Sequence, residues 1–116
     1  MQPAVLVTGG AKRIGSALSR RFAQAGWHVV IHYGQSRAEA EALAAELPNA
    51  RTVQCDLADP QAAEAMVVGL ANELLDWRML VNCAAVFRED TARAIDHDVF
   101  AEAMTVNAET PARMAQ

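Results

Sequence analysis

Residues 7–15 read Val7-Thr8-Gly9-Gly10-Ala11-Lys12-Arg13-Ile14-Gly15, and the pattern on either side of them decides the fold. Just before them, Ala4–Thr8 (AVLVT) is a short apolar run with the character of a strand buried on both faces. Just after, Ile14, Leu18 and Phe22 recur every four residues and predict the apolar face of a helix. A strand that turns through glycines into a helix lets the backbone approach whatever lies above the turn. It also leaves the first N–H groups of the helix free, at the positive end of its dipole. Such a junction suits a pyrophosphate. A tight turn with no ligand is the plainer alternative.

The same alternation continues along the chain. Gly26 is placed to cap the first helix in a left-handed conformation, and residues 29–32 (VVIH) predict a second strand. Ser36 followed by Glu39 has the spacing of a capping box, opening a helix over residues 38–47 that Pro48 and Asn49 end. Residues 52–55 (TVQC) predict a third strand. Asp59 before Pro60 is an N-cap followed by a first-turn proline, starting a helix that runs to about residue 75. Met66, Val67, Leu70 and Leu74 form its inner side. Residues 79–83 (MLVNC) predict a fourth strand, and residues 96–115 a fourth helix with Pro111 at a kink or end. Alternating strands and helices imply an α/β fold: a Rossmann-like, doubly wound parallel sheet. It is expected to be incomplete, with about four strands in the order 3-2-1-4, and to form one domain over residues 1–116.

Composition narrows the function. The chain has 116 residues, 53% of them hydrophobic and 21% charged, enough for a packed core. Its net charge of −4 argues against nucleic acid, whose phosphates call for a basic face. No apolar run is long enough to span a membrane, and the opening residues lack the charged start of a secretory signal. Two cysteines without metal-type spacing suit a reduced, cytoplasmic protein. His28, His32 and His97 are isolated from one another, so no metal site is expected. The lysine-serine or lysine-threonine of a phosphate-loop ATPase is absent. Met66, Met79, Met104 and Met114 are expected in the core, and Glu39, Glu41 and Glu46 on a solvated helix face.

The string TGGAKRIG at residues 8–15 resembles the T-G-x-x-x-G-x-G loop of short-chain dehydrogenases/reductases, with Arg13 in place of the middle glycine. Its Lys-Arg pair is most similar to the pteridine-reductase branch. The sequence His32-Tyr33 with Ser36 three residues on is similar to that branch's H-Y-x-x-S stretch. Asp56-Leu57 resembles the family's pair beside the adenine ring. Asn82-Cys83-Ala84-Ala85 resembles its N-N-A-G motif, with Cys83 and Ala85 departing from it. Asn107, in Thr105-Val106-Asn107, matches the helix asparagine that holds the family's proton-relay water.

The resemblance implies an NADPH-dependent reductase that transfers hydride to a pterin-like or carbonyl small molecule and works as a homo-oligomer. It implies coenzyme contacts from Thr8, Gly9, Lys12, Arg13, Ile14, Gly15, Tyr33, Ser36, Asp56, Leu57, Asn82 and Ala84. It gives Asn107 a part in catalysis and Phe87 a place against the substrate. Plainer roles stand beside these: a cap for Ser36, a turn residue for Asp56, a loop tie for Asn82, core packing for Phe87.

The choice between coenzymes has a physical basis. NAD-preferring relatives place a carboxylate about twenty residues past the glycine loop, where it grips the ribose 2′-hydroxyl. No acidic residue occurs between Trp27 and Ala38. Lys12, Arg13 and Ser36 are available for a 2′-phosphate instead, so NADP(H) is predicted. Arg37 is expected to be a solvated surface charge.

The family's catalytic tyrosine and lysine, spaced Y-x-x-x-K, have no counterpart here. The single tyrosine is Tyr33 and the single lysine Lys12. The expectation is therefore a truncated chain, inactive alone, whose fourth strand is an open edge prone to self-association. The alternative is a non-catalytic nucleotide-binding or interaction module.

Overall fold

A computed structural model describes residues 2–84 and Met114. The strands are β1 (Ala4–Thr8), β2 (His28–Tyr33), β3 (Ala50–Gln54) and β4 (Trp77–Asn82). The helices are α1 (Arg13–Gln24), α2 (Arg37–Glu46) and α3 (Pro60–Glu73). All strand pairs are parallel, and the order is β3-β2-β1-β4, as the alternation predicts. Strands β2, β3 and β4 begin one or two residues earlier than hydrophobicity alone suggests. Backbone pairing at Ala4↔His28, Val29↔Ala50 and Ala4↔Trp77 draws their first residues, His28, Ala50 and Trp77, into the sheet. The fourth helix expected at 96–115, like Phe87, Met104 and Asn107, lies outside the described residues, except that Met114 is helical and buried.

Side chains alternate across the sheet. Val5, Val7, Val29 and Ile31 meet Ala23 of α1 and Ala40 and Leu43 of α2 on one face. Leu6 and Val30 meet Ala63, Met66 and Leu70 of α3 on the other. Helices thus cover both faces of β1 and β2, whose central residues are fully buried. Each such Val, Leu or Ile contributes about 1.5–3 kcal/mol through burial.

Helix α1 does not bury the face its apolar spacing suggested. Its buried residues are Gly15, Ser19 and Ala23, a small-residue seam that lets the helix lie close against the strand-to-helix turn. Leu18 and Phe22 are only half-buried, and Ile14 is 72% exposed. The reason is close approach: the seam leaves no room for large side chains. Met79 is also no core filler. It is 40% exposed on β4, which pairs with β1 alone among the described residues.

The end of α1 follows the expected capping. Gly26 has φ +92°, its N–H bonds to the Ala23 carbonyl at 3.1 Å, and the Trp27 N–H bonds to Phe22 at 3.1 Å. The Phe22 and Trp27 rings meet edge to face, 5.3 Å apart, closing the turn into β2. Asp59 caps α3, accepting from the N–H groups of Gln61 (3.1 Å) and Ala62 (3.2 Å). Ser36, by contrast, makes no side-chain cap on α2, so the capping box does not form. Glu39 and Glu41 are exposed, and the exposed Glu46 pairs with Arg20 across α1 and α2.

Candidate functional site: the carboxyl edge of the sheet

The strand ends of β1, β2 and β4 and the turn into α1 converge at one edge of the sheet. The turn needs glycine at two places. Gly9 has φ +61°, and a Cβ there would meet the backbone of Ala84 at 3.0 Å. At Gly15 a Cβ would collide with the Gly9 carbonyl oxygen. Arg13 sits at φ +50°, a left-handed conformation, at the position where the family loop carries glycine.

The turn is tied down from three sides. The Gly9 N–H donates to Nδ1 of His32 at 3.0 Å, and the Gly10 N–H donates to the His32 carbonyl at 3.1 Å. The Ser19 hydroxyl donates to the Gly10 carbonyl at 3.0 Å. Thr8 completes the set. Its hydroxyl donates to the Val81 carbonyl (3.4 Å) and accepts from the N–H groups of Cys83 (3.0 Å) and Ala84 (3.2 Å). Thr8 is buried, so its side chain joins β1 to the segment after β4.

This arrangement corrects the simplest picture of the loop. The amides of Gly9 and Gly10 face inward, to β2, because the end of β2 lies directly beneath them. The donors left without a helical partner are those at the helix start. Ser16 N–H to the Lys12 carbonyl, 3.2 Å, is the first bond of α1, so the N–H groups of Arg13, Ile14 and Gly15 precede it. The exposed Ile14 side chain stands beside them.

Beyond the turn lies a pocket of about 80 Å³, lined by Gly9, Ala11, Lys12, His32, Tyr33, Gly34 and Ser36. Lys12 and Ser36, 24 positions apart in the chain, are thus brought together, with the Ser36 hydroxyl free of capping duty. Arg13 is exposed and does not line this pocket. Arg37 is more than a solvated charge: its Nε donates to the hydroxyl of buried Tyr33 at 3.1 Å. The i to i+4 spacing of Tyr33 and Arg37 across the β2–α2 turn was the available signal.

Asp56 and Leu57 follow β3. Asp56 is exposed, and its Oδ1 accepts from the Ala58 N–H at 2.9 Å, forming the turn into α3. The Leu57 side chain is buried in the core cluster with Met66 and Leu70. Asn82 is exposed at the end of β4, in register with Thr8, and Ala84 abuts Gly9. Burial raises the thiol pKa of both Cys55 and Cys83, keeping them protonated. His32 is the residue that sequence reasoning passed over: it was noted within a motif, and its grip on the turn appears only in three dimensions.

The family model of short chain dehydrogenases matches residues 3–116. The chain belongs to this family. Among short-chain dehydrogenases of known structure, one from Burkholderia cenocepacia in complex with NADP superposes with a TM-score of 0.91 at 32% identity, covering 97% of this chain and 47% of that one. FolM alternative dihydrofolate reductase 1 from Brucella canis, complexed with NADP, superposes with a TM-score of 0.86 at 34% identity, covering 98% of this chain and 47% of that one. Pteridine reductase 1 of Leishmania tarentolae is 46% identical over 66 residues, 53% of this chain and 23% of the relative. The chain thus spans about half the length of these two structures, and less of the curated relative.

Proposed function

We propose that this short-chain dehydrogenase chain is the coenzyme-binding portion of an NADPH-dependent oxidoreductase that reduces a pterin-like or carbonyl small molecule. The observation that carries the reading is the pocket at the end of β2. It holds Lys12 and Ser36, and no carboxylate lies between Trp27 and Ala38. A cation and a hydroxyl suit a 2′-phosphate, whereas a carboxylate would repel one and favour a free ribose.

The residues present fit such a coenzyme. A side chain at Gly9 would meet the backbone of Ala84 and one at Gly15 would collide with the turn's own backbone, so both keep the turn closed, and the N–H groups of Arg13, Ile14 and Gly15, which have no partner within α1, suit the diphosphate. We assign Lys12, Ser36 and Tyr33 to the 2′-phosphate end, with Arg37 holding Tyr33 in place. Asp56 and the backbone of Leu57 are assigned to the adenine. Asn82 and Ala84, with Thr8 fixing their segment, are assigned to the far end of the dinucleotide. Asn107 and Phe87 are proposed for proton relay and substrate stacking.

The bound coenzyme supplies hydride, and this chain's part is to hold and orient it. Proton delivery is not assigned to Tyr33, because it lines the pocket assigned to the 2′-phosphate, bonded to Arg37, and not the far end of the dinucleotide. Relatives named as a pteridine reductase and a dihydrofolate reductase support the pterin-like substrate class. A reduced cytoplasmic setting agrees with Cys55 and Cys83 both being free thiols, and assembly as a homo-oligomer is proposed on the family likeness.

Calorimetric titration with NADPH and NADH tests the reading. NADPH is expected to bind at least about tenfold more tightly, and Ser36→Ala and Lys12→Ala to reduce that ratio. Equal affinities for the two in the unmodified protein would refute it.

A further inference from the structure

His32 is buried at the end of β2, and both of its ring nitrogens are in use. Nδ1 lies 3.0 Å from the Gly9 nitrogen, which can only donate. Nε2 lies 2.8 Å from the Cys55 carbonyl oxygen, which can only accept. Together these partners define one protonation state: neutral, with the hydrogen on Nε2 and the lone pair of Nδ1 toward Gly9. The His32 carbonyl also holds the Gly10 N–H, so one residue grips both glycine amides of the turn. A second proton would sit on Nδ1 and point at the Gly9 N–H. Donor would then face donor in a buried site, and the contact would break.

We propose that neutral His32 is the positioning residue of the glycine turn, tying the Gly9 amide to the Cys55 carbonyl, and that protonation of Nδ1 frees the turn and weakens coenzyme binding. The coenzyme clause rests on the NADPH reading above; the tie itself does not. Gly9 packs against the backbone of Ala84, and its carbonyl lies under Gly15. Movement of Gly9 therefore displaces the start of α1, where the N–H groups without a helical partner lie. Burial lowers the His32 pKa, partly offset by the bond to Cys55, which agrees with a neutral ring near neutral pH.

The charged and titratable residues nearest in the structure are Lys12 on the turn and Tyr33 on β2, which line the same pocket as the ring, Arg37 at the start of α2, bonded to Tyr33, and Cys55 after β3, followed in the chain by Asp56. None of these side chains bonds to an imidazole nitrogen, because backbone atoms occupy both.

The test compares His32→Asn with His32→Leu. The Asn amide oxygen can replace Nδ1 as acceptor and does not titrate, whereas Leu fills space without accepting. At about pH 8 His32→Asn is expected to bind NADPH within about twofold of the unmodified protein, and His32→Leu at least about fivefold more weakly. As the pH falls to about 5.5, unmodified protein should lose more affinity than His32→Asn. Titration of the 2′-phosphate cancels in that ratio, since both proteins see the same ligand. Equal affinity and equal pH slope in all three proteins would overturn the proposal.

Nitrogen NMR of the imidazole in coenzyme-free protein gives an independent reading. It should show hydrogen on Nε2 alone, with the Gly9 amide signal shifting as the ring titrates. Hydrogen on Nδ1, or a Gly9 signal indifferent to titration, would overturn the tie whether or not NADPH binds. Failure of unmodified protein to bind NADPH at about pH 8 would instead reject the coenzyme reading and, with it, the second clause of the proposal.

Discussion

Gly15 lies so close to Gly9 that a single methyl group on Gly15 would overlap the Gly9 carbonyl. The opening turn of α1 therefore exists only with a bare backbone at residue 15. Gly15→Ala must push the helix away from the turn, and overpacking of this kind costs about 1–3 kcal/mol. Urea denaturation is expected to show that loss, with NADPH affinity falling alongside. Unchanged stability would mean the helix start can shift freely.

Thr8 makes a contrasting prediction. Its hydroxyl accepts two amides, from Cys83 and Ala84, in a part-buried setting. Thr8→Val keeps the shape and strands both donors, a loss of about 1–3 kcal/mol for each group left without a partner. Thr8→Ser should retain most of the stability. A chemical melt of the two variants side by side separates hydrogen bonding from packing.

Arg13 holds a left-handed φ of +50° without being glycine. Arg13→Gly is expected to raise stability by on the order of 1 kcal/mol, through relief of backbone strain. The substitution also removes a positive charge from the first residue of α1, so NADPH should bind the glycine variant more weakly despite the firmer fold. Thermal denaturation and calorimetry together read the two effects, which have opposite signs.

The turn was legible in the sequence because glycine, strand and helix signals coincide within residues 4–22. The parallel sheet followed from alternation, and its order from the doubly wound fold the alternation implies. What escaped were facts that depend on partners distant in the chain. Ile14, Leu18 and Phe22 have helical spacing, yet the tight seam against the turn selects Gly15, Ser19 and Ala23 for burial. Ser36 and Glu39 have capping spacing, yet Ser36 lines the pocket with Lys12 and makes no cap. His32 looks like one more strand residue until β1, β2 and β3 are laid side by side. Local pattern reports propensity, and the competing demand of close packing is not written locally.

The thiols supply a fourth test. Burial raises the Cys55 pKa, with smaller contributions from Asp56 and Asp59, and burial also raises that of Cys83. Both should therefore alkylate slowly at neutral pH, since the thiolate is the reactive form. Rates should climb only as pH passes above the ordinary thiol value of 9.0. Denaturant should abolish the protection. Rapid labelling of the folded protein near neutrality would contradict this account of their surroundings.

The strand order has a consequence for how the molecule is assembled. β1 meets β2 on one side through Ala4↔His28, a short excursion along the polypeptide, but meets β4 on the other only through residues such as Thr8 and Val81, 73 positions apart. Closing the longer loop carries the larger entropic cost, so the β1–α1–β2 crossover can form well before the pairing of β1 with β4. During synthesis, β1 emerges first yet waits with one flank bare until residues 77–82 have left the ribosome. In that interval the nascent chain is most in need of shielding.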